Sequence, residues 1–301
     1  MSGEAATGLK PGSLAVWWLA CRPATLWAAV APVLVGVACA SSAGGFSSGP
    51  AAAALCGAIF IQIGTNFAND LFDFRKGADT SERLGPVRAA QAGLLTVRQL
   101  ALGTALAFGA ATLCGVYLAV IAGWPVIVVG LASIAAGIGY TGGPRPLGYL
   151  GLGDVFVFAF FGVIAVTMTA YVQMLAVPRS AWIASLGVGA LSTAILVVNN
   201  LRDRPTDEVA GKKTLAVRFG EGFARVEYFL LVAGAFLVPP ALLSVEGRLA
   251  PLLAMLCAPL AVPQLGLMKS GVGRELNPAL GGTARLLLIY CILLSLGLWL
   301  S

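Results

Sequence analysis

The chain is divided into long apolar runs of about 20 residues, the length an α-helix needs to cross some 30 Å of hydrocarbon. Nine such runs are read from the 301 residues, over 23–42, 50–72, 99–120, 122–141, 152–176, 181–201, 224–244, 249–268 and 281–300. Composition agrees: 58% of residues are hydrophobic and only 11% charged, and the mean hydropathy of +0.90 lies far outside the balance of a soluble domain. The expectation is an all-α, polytopic membrane protein, one domain over 1–301 with nine transmembrane helices and residues 1–13 flexible.

Orientation follows from the Lys and Arg residues of the short connections, which gather on the cytoplasmic side. With the N-terminus cytoplasmic, 17 of the 19 basic residues fall on that side and only Arg179 and Arg248 fall outside. Nine spans then put the C-terminus outside. The same bias accounts for the net charge of +6 without nucleic acid. The first run ends in VACASS, which has the small-residue pattern of a cleavage site, but Arg22, Pro23 and its length favour an uncleaved span. The preceding LAVWWLACR, residues 14–22, suits the membrane interface, where Trp and Arg anchor well.

The six cysteines are scattered without C-x-x-C spacing and read as small buried hydrophobes. Histidine is absent, which removes the usual general base and the usual zinc ligand. Chemistry in this chain falls to carboxylates, amides, hydroxyls and the Lys and Arg cations.

Seven of the 13 acids lie in two segments. NFANDLFDFRKGADTSERLGPVRAAQ, residues 66–91, holds Asp70, Asp73, Asp79 and Glu82. NNLRDRPTDEVAGKKTLAVRFG, residues 199–220, holds Asp203, Asp207 and Glu208. Both sit at the cytoplasmic ends of expected spans, the second and the sixth, so they can face one another. Gln62, Asn66, Asp70 and Asp73 follow i, i+4, i+8, i+11 and form one polar stripe on an apolar helix. Asn199, Asp203 and Asp207 repeat that spacing with Asn200 beside them, and N-x-L-x-D occurs in both segments. An Asp in the middle of a membrane helix costs roughly 2.5 to 3.5 kcal/mol, so such a stripe is better explained by a wet cavity at the inner face than by lipid exposure. Carboxylates facing each other amid Lys and Arg suit Mg²⁺, which shares its oxygen ligands between one or two carboxylates and substrate phosphates. Nearby cations would bind the remaining phosphate oxygens. The pattern points to a magnesium diphosphate.

Four blocks in order, RPATLWAAVAP (22–32), NDLFDFRKGADTSERLGPVRAAQAGLLT (69–96), YTGGPRPLGYLGLGDVFVFAFFG (140–162) and the 199–220 segment, resemble the UbiA superfamily of intramembrane aromatic prenyltransferases. The likeness is to its naphthoate branch, because Gly77 stands where the general N-D-x-x-D-x-x-x-D pattern has a third acid and the next acid is Asp79. The resemblance implies nine helices around a cytoplasm-facing cavity. It implies a polyprenyl diphosphate and 1,4-dihydroxy-2-naphthoate as substrates, and two Mg²⁺ ions held by Asp70, Asp73, Asp203 and Asp207, with Asp79 as a further ligand. Candidate substrate contacts are Asn66, Asn69, Asn199 and Asn200 and the cations Lys76, Arg88, Lys212 and Lys213. Arg145 and Tyr140, in the Gly- and Pro-rich turn between spans four and five, are expected near the cavity mouth. Pro205 is expected to displace Asp207, since proline cannot donate and crowds the carbonyl four residues earlier. Another aromatic acceptor, such as 4-hydroxybenzoate or homogentisate, and an anion transporter remain open alternatives, and chain length and oligomeric state are not fixed.

Overall fold

The computed structural model describes residues 9–77, 84, 85 and 87–301, and every regular element among them is helical. A short helix, α1 (Leu14–Cys21), buries Val16 and Ala20 and exposes Leu14 and Trp18, as a helix lying along a surface does. Arg22 ends it in the left-handed region (φ 51°), and Pro23 opens α2 at the first helical position.

Among the described residues eight helices are long and apolar enough to span: α2 (Pro23–Ser42), α3 (Ser48–Arg75), α4 (Val97–Ala122), α6 (Gly153–Met174), α7 (Arg179–Val209), α8 (Leu215–Glu246), α9 (Ala250–Ser270) and α10 (Gly273–Trp299). Between α4 and α6 lies α5 (Trp124–Gly139), 16 residues and strongly apolar. At a rise of 1.5 Å per residue it is about 24 Å long, short of the bilayer core. All nine expected runs are therefore helical, and the fourth is the short one. In α8, Gly220 (φ 83°, ψ 178°) interrupts the helix and separates a short first segment from the long apolar remainder.

Successive helices alternate in direction, and contacts between distant residues sort to the two ends. One end joins Ser42 to Arg248, Ser47 to Gln173 and Ala122 to Tyr171. The opposite end gathers Arg22, Asp73, Tyr149, Lys212 and Asn277. The second end carries the acids.

At the centre stands α7, the most buried span, packed against α2, α6, α8 and α10. Ala181, Ala184, Val188, Leu191, Ala194 and Val198 recur at helical spacing on its buried surface. Within a membrane, helices associate through close packing of small residues, because lipid supplies no hydrophobic drive. One close approach is between α6 and α7, where a Cβ on Gly162 would collide with the Cα of Gly189. Gly162 lies in a π-helical stretch of α6, Phe158–Ile164, a local widening that is frequent at functional sites.

Candidate active site

The polar stripe of α3 divides by task. Gln62 and Asn66 face α2: Asn66 Nδ2 donates to the Cys21 carbonyl and to Thr25 Oγ1, both at 2.9 Å, and Gln62 Nε2 reaches Thr25 Oγ1 at 3.3 Å. These bonds fix the α1–α2 corner on α3 and satisfy amides that would otherwise be buried without partners. One turn on, Asp70 is buried, and its carboxylate accepts the backbone amides of Ala89 (3.0 Å) and Ala90 (3.4 Å). That bond ties the chain between α3 and α4 to the helix and brings Arg88 over the site. Asp73, at the end of the stripe, reaches the cavity.

Asp73 is 2% exposed and is approached from three directions. Arg88 lies 3.3 Å from Oδ2, the Tyr149 hydroxyl donates to Oδ1 at 3.3 Å, and Lys212 Nζ is 3.9 Å from Oδ1. Lys76 and Lys212 both stand against the Tyr149 ring, at 4.8 and 5.3 Å from its centroid, within cation–π range. Lys76 also donates to the Thr141 carbonyl at 2.7 Å. Desolvation there lowers the Lys76 pKa, an effect that the Asp73 carboxylate opposes and the Lys212 ammonium reinforces. Asn69 accepts from Thr141 Oγ1 at 2.8 Å and lines the same space.

On α7, Asn199, Asn200, Asp203 and Asp207 all face this cavity. Arg202, wholly buried, grips Asp203 through both carboxylate oxygens, at 2.6 and 2.8 Å. Asp207 pairs with Lys212 at 3.5 Å. The helix runs through Pro205 to Val209, so the expected displacement of Asp207 does not occur. Proline removes one donor near the end of the helix, and the Thr206 hydroxyl adds a bond to the Asp203 carbonyl at 2.8 Å.

These side chains enclose a polar cavity of about 930 Å³ at the acid-bearing end. A second cavity, of about 730 Å³, lies deeper between α2, α3, α4, α5 and α6 and is almost wholly apolar. The two share Ala28, Gln62, Asn69, Tyr140, Val157 and Phe161, so the polar chamber continues into the apolar one past Tyr140 and Phe161. Phe156 and Phe160, stacked with centroids 5.8 Å apart, stand on the apolar wall.

Of the residues singled out from sequence, Asn69, Asp73, Arg88, Tyr140, Asn199, Asn200, Asp203, Asp207 and Lys212 line the polar cavity. Asn66 lines the apolar one. Arg145 and Lys213 are exposed and line neither, and Asp79 lies outside the described residues. Sequence reasoning did not single out Tyr149, Arg202 or Asn277. Arg202 adjoins Asp203 but reads as one of the basic residues of the cytoplasmic side, whereas Tyr149, between α5 and α6, and Asn277, in α10, are distant in the chain and carry no local signal.

Among the described residues no three acids converge closely enough to hold a metal unaided. Asp73, Asp203 and Asp207 nevertheless present hard oxygen donors to one space with cations beside them. That donor set fits Mg²⁺ shared with a phosphate-bearing ligand, which needs only one or two carboxylates.

A bundle of membrane-length helices with acids from two of them on one chamber, beside an apolar cavity, has the architecture of an intramembrane enzyme. The UbiA prenyltransferase family matches residues 29–274, and the chain belongs to that family. It is 40% identical over 93% of its length to a 1,4-dihydroxy-2-naphthoate octaprenyltransferase of Mycobacterium tuberculosis, of which it covers 95%. It is 36% identical to the Escherichia coli 1,4-dihydroxy-2-naphthoate octaprenyltransferase, with 95% of each chain covered. In fold it is similar to a UbiA homolog from Archaeoglobus fulgidus bound to DMAPP and Mg²⁺, with a TM-score of 0.61 at 16% identity over 93% of this chain and 99% of the other.

Proposed function

We propose that the protein transfers a polyprenyl group from its diphosphate to 1,4-dihydroxy-2-naphthoate, releasing diphosphate and CO₂ and giving demethylmenaquinol. The observation that carries this reading is the joining of the two cavities: a cation-rich chamber lined by Asp73, Asp203 and Asp207 runs into an apolar space walled by Tyr140, Phe156, Phe160 and Phe161. One molecule with a charged head and an isoprenoid tail matches both. The relatives bearing the naphthoate octaprenyltransferase name, similar over nearly their whole length, supply the acceptor.

Asp73, Asp203 and Asp207 would hold Mg²⁺ with the diphosphate, two ions being the number that ligands on two separate helices suit. Asp79 is a further candidate ligand, and Asp70 serves by fixing the turn that carries Arg88. When bound, the metal supplies charge neutralisation for the leaving diphosphate. Lys212, Arg88 and Lys76 stabilise the same developing charge from the protein side. The C–O bond breaks with its electron pair going to diphosphate, and the allylic carbon is left cationic at the junction of the cavities. There the π faces of Tyr140 and Phe161 can shield it until the electron-rich ring attacks. A new C–C bond forms, the ring carboxylate departs as CO₂, and its electron pair restores the aromatic ring.

The sidedness of the basic residues supports a reading with the acid-bearing end and the N-terminus in the cytoplasm and the C-terminus outside, in the inner cell membrane. The test is to incubate detergent-purified protein with a labelled polyprenyl diphosphate, Mg²⁺ and separate acceptors. Prenylated product with 1,4-dihydroxy-2-naphthoate, and none with 4-hydroxybenzoate or homogentisate, is expected. Product only with another acceptor would overturn the assignment of the naphthoate.

A further inference from the structure

Arg202 is wholly buried in a membrane-embedded helix, and its guanidinium makes four hydrogen bonds to three side chains. Its Nε and one terminal nitrogen take both oxygens of Asp203, at 2.8 and 2.6 Å. The same terminal nitrogen reaches Asn199 Oδ1 at 2.7 Å, and the other reaches Asn277 Oδ1 at 3.1 Å. Asn277 in turn donates to the Leu84 carbonyl at 3.3 Å. Gly85 lies directly over the guanidinium, where a Cβ would come within 2.6 Å of it.

Two features set this cluster apart from ordinary helix packing. Neighbouring residues on an α-helix project about 100° apart, so Arg202 and Asp203 do not meet by default. The Arg202 side chain must fold back to clasp the next residue. Moreover, a buried charge pair recovers its desolvation cost only with good geometry and with its remaining donors satisfied. Here the fork matches the carboxylate, and the outward donors are taken by amides from α7 and α10. Asp203 uses one lone pair on each oxygen for Arg202 and keeps the others facing the cavity.

We infer that Arg202 is a positioning residue: it orients the Asp203 carboxylate toward a metal diphosphate and, through Asn277, Leu84 and Gly85, locks that orientation to α10 and to the α3–α4 connection. Partners behind a metal-binding carboxylate set its direction and its affinity for the ion. A lysine at 202 keeps the charge but has no planar fork, so it cannot hold both oxygens and Asn277 at once. The inference rests on the prenyltransferase reading, because it assigns Asp203 to the metal diphosphate.

The test is a double-mutant cycle on the purified full-length chain, with thermal midpoints recorded to show that each variant is folded. Arg202→Lys is expected to raise the half-saturating Mg²⁺ concentration for turnover at least tenfold. Mn²⁺ binding in the presence of an unreactive polyprenyl thiodiphosphate, followed by electron paramagnetic resonance, is expected to weaken by a similar factor. In an Asp203→Asn background the same change is expected to lose less than a further twofold, because the group through which Arg202 acts is already gone. An unchanged Mg²⁺ requirement in Arg202→Lys, or an equal loss in both backgrounds, overturns the inference while leaving the prenyltransferase reading intact. Wild-type turnover by Asp203→Asn overturns both. Should Arg202→Lys fail to fold, Asn277→Ala, which removes only one outward partner, carries the test: a three- to tenfold rise in the Mg²⁺ requirement supports the inference, and no rise contradicts it.

Discussion

Asp73 is where the two halves of the site meet, since its own helix, the Arg88 turn, the Tyr149 loop and Lys212 beyond α7 all reach it. Its neighbour Asp70 lines neither cavity and accepts hydrogen bonds from two backbone amides. Replacing Asp70 by Asn sets an amide nitrogen against one of those N–H groups, at a cost of about 1 to 3 kcal/mol for the lost buried bond. Asp70→Asn is therefore expected to lower the thermal midpoint in detergent as well as turnover, whereas Asp73→Asn is expected to lower turnover with the midpoint nearly unchanged. Scanning fluorimetry beside an activity assay separates the two. The i, i+4, i+8, i+11 spacing made this stripe visible in the sequence, because spacing alone reports which side of a helix is polar. It did not tell Asp70 from Asp73: the amides that capture Asp70 belong to residues 89 and 90, and nothing local announces that they fold back. Arg202 was similarly hidden, since its pairing with Asp203 runs against helical geometry.

Among elements, α7 contributes carboxylates at one end and the central packing surface along the rest, so its position is set by the core and not by the site. Its close crossing with α6 at Gly162 and Gly189 belongs to that core. Residues of α4 and α5 wall the apolar cavity. Gly130 of α5 lines the apolar cavity, and a Cβ there would meet nothing within 4 Å. Gly130→Phe is expected to fill that space, raising KM for a long-chain polyprenyl diphosphate at least tenfold while altering KM for a five-carbon diphosphate less than twofold. Steady-state kinetics with the two donors decides it, and equal effects on both would remove the apolar cavity from the substrate path. The spans themselves were legible as hydrophobic runs, with ends off by up to nine residues. The shortness of α5 and the break at Gly220 were not, because an apolar run does not reveal where a helix stops.

For the whole molecule, alternating helices place Asp73, Asp203 and Asp207 at one end, and the basic bias supports the proposal that this end is cytoplasmic. In a cysteine-free variant of intact cells, a single cysteine at Gly44 or Ser301 is expected to react with a membrane-impermeant thiol reagent, and one at Gly77 or Arg145 is not. The reverse labelling would turn the protein over in the membrane. The helical spans and the two acidic helix ends could be read from the sequence because both are one-dimensional patterns. The joining of polar and apolar cavities depends on five helices packing together, which no one-dimensional pattern encodes.

The central claim is that carboxylates from α3 and α7 hold one diphosphate together. Calorimetric titration of an unreactive polyprenyl thiodiphosphate into wild type, Asp73→Asn and Asp203→Asn, each with Mg²⁺ and with EDTA, measures this directly. Binding to the wild type that EDTA abolishes, and a loss of at least a hundredfold in affinity from either substitution alone, is the predicted result. Metal-independent binding, or full affinity in one of the two variants, would show that the helices do not share the ligand.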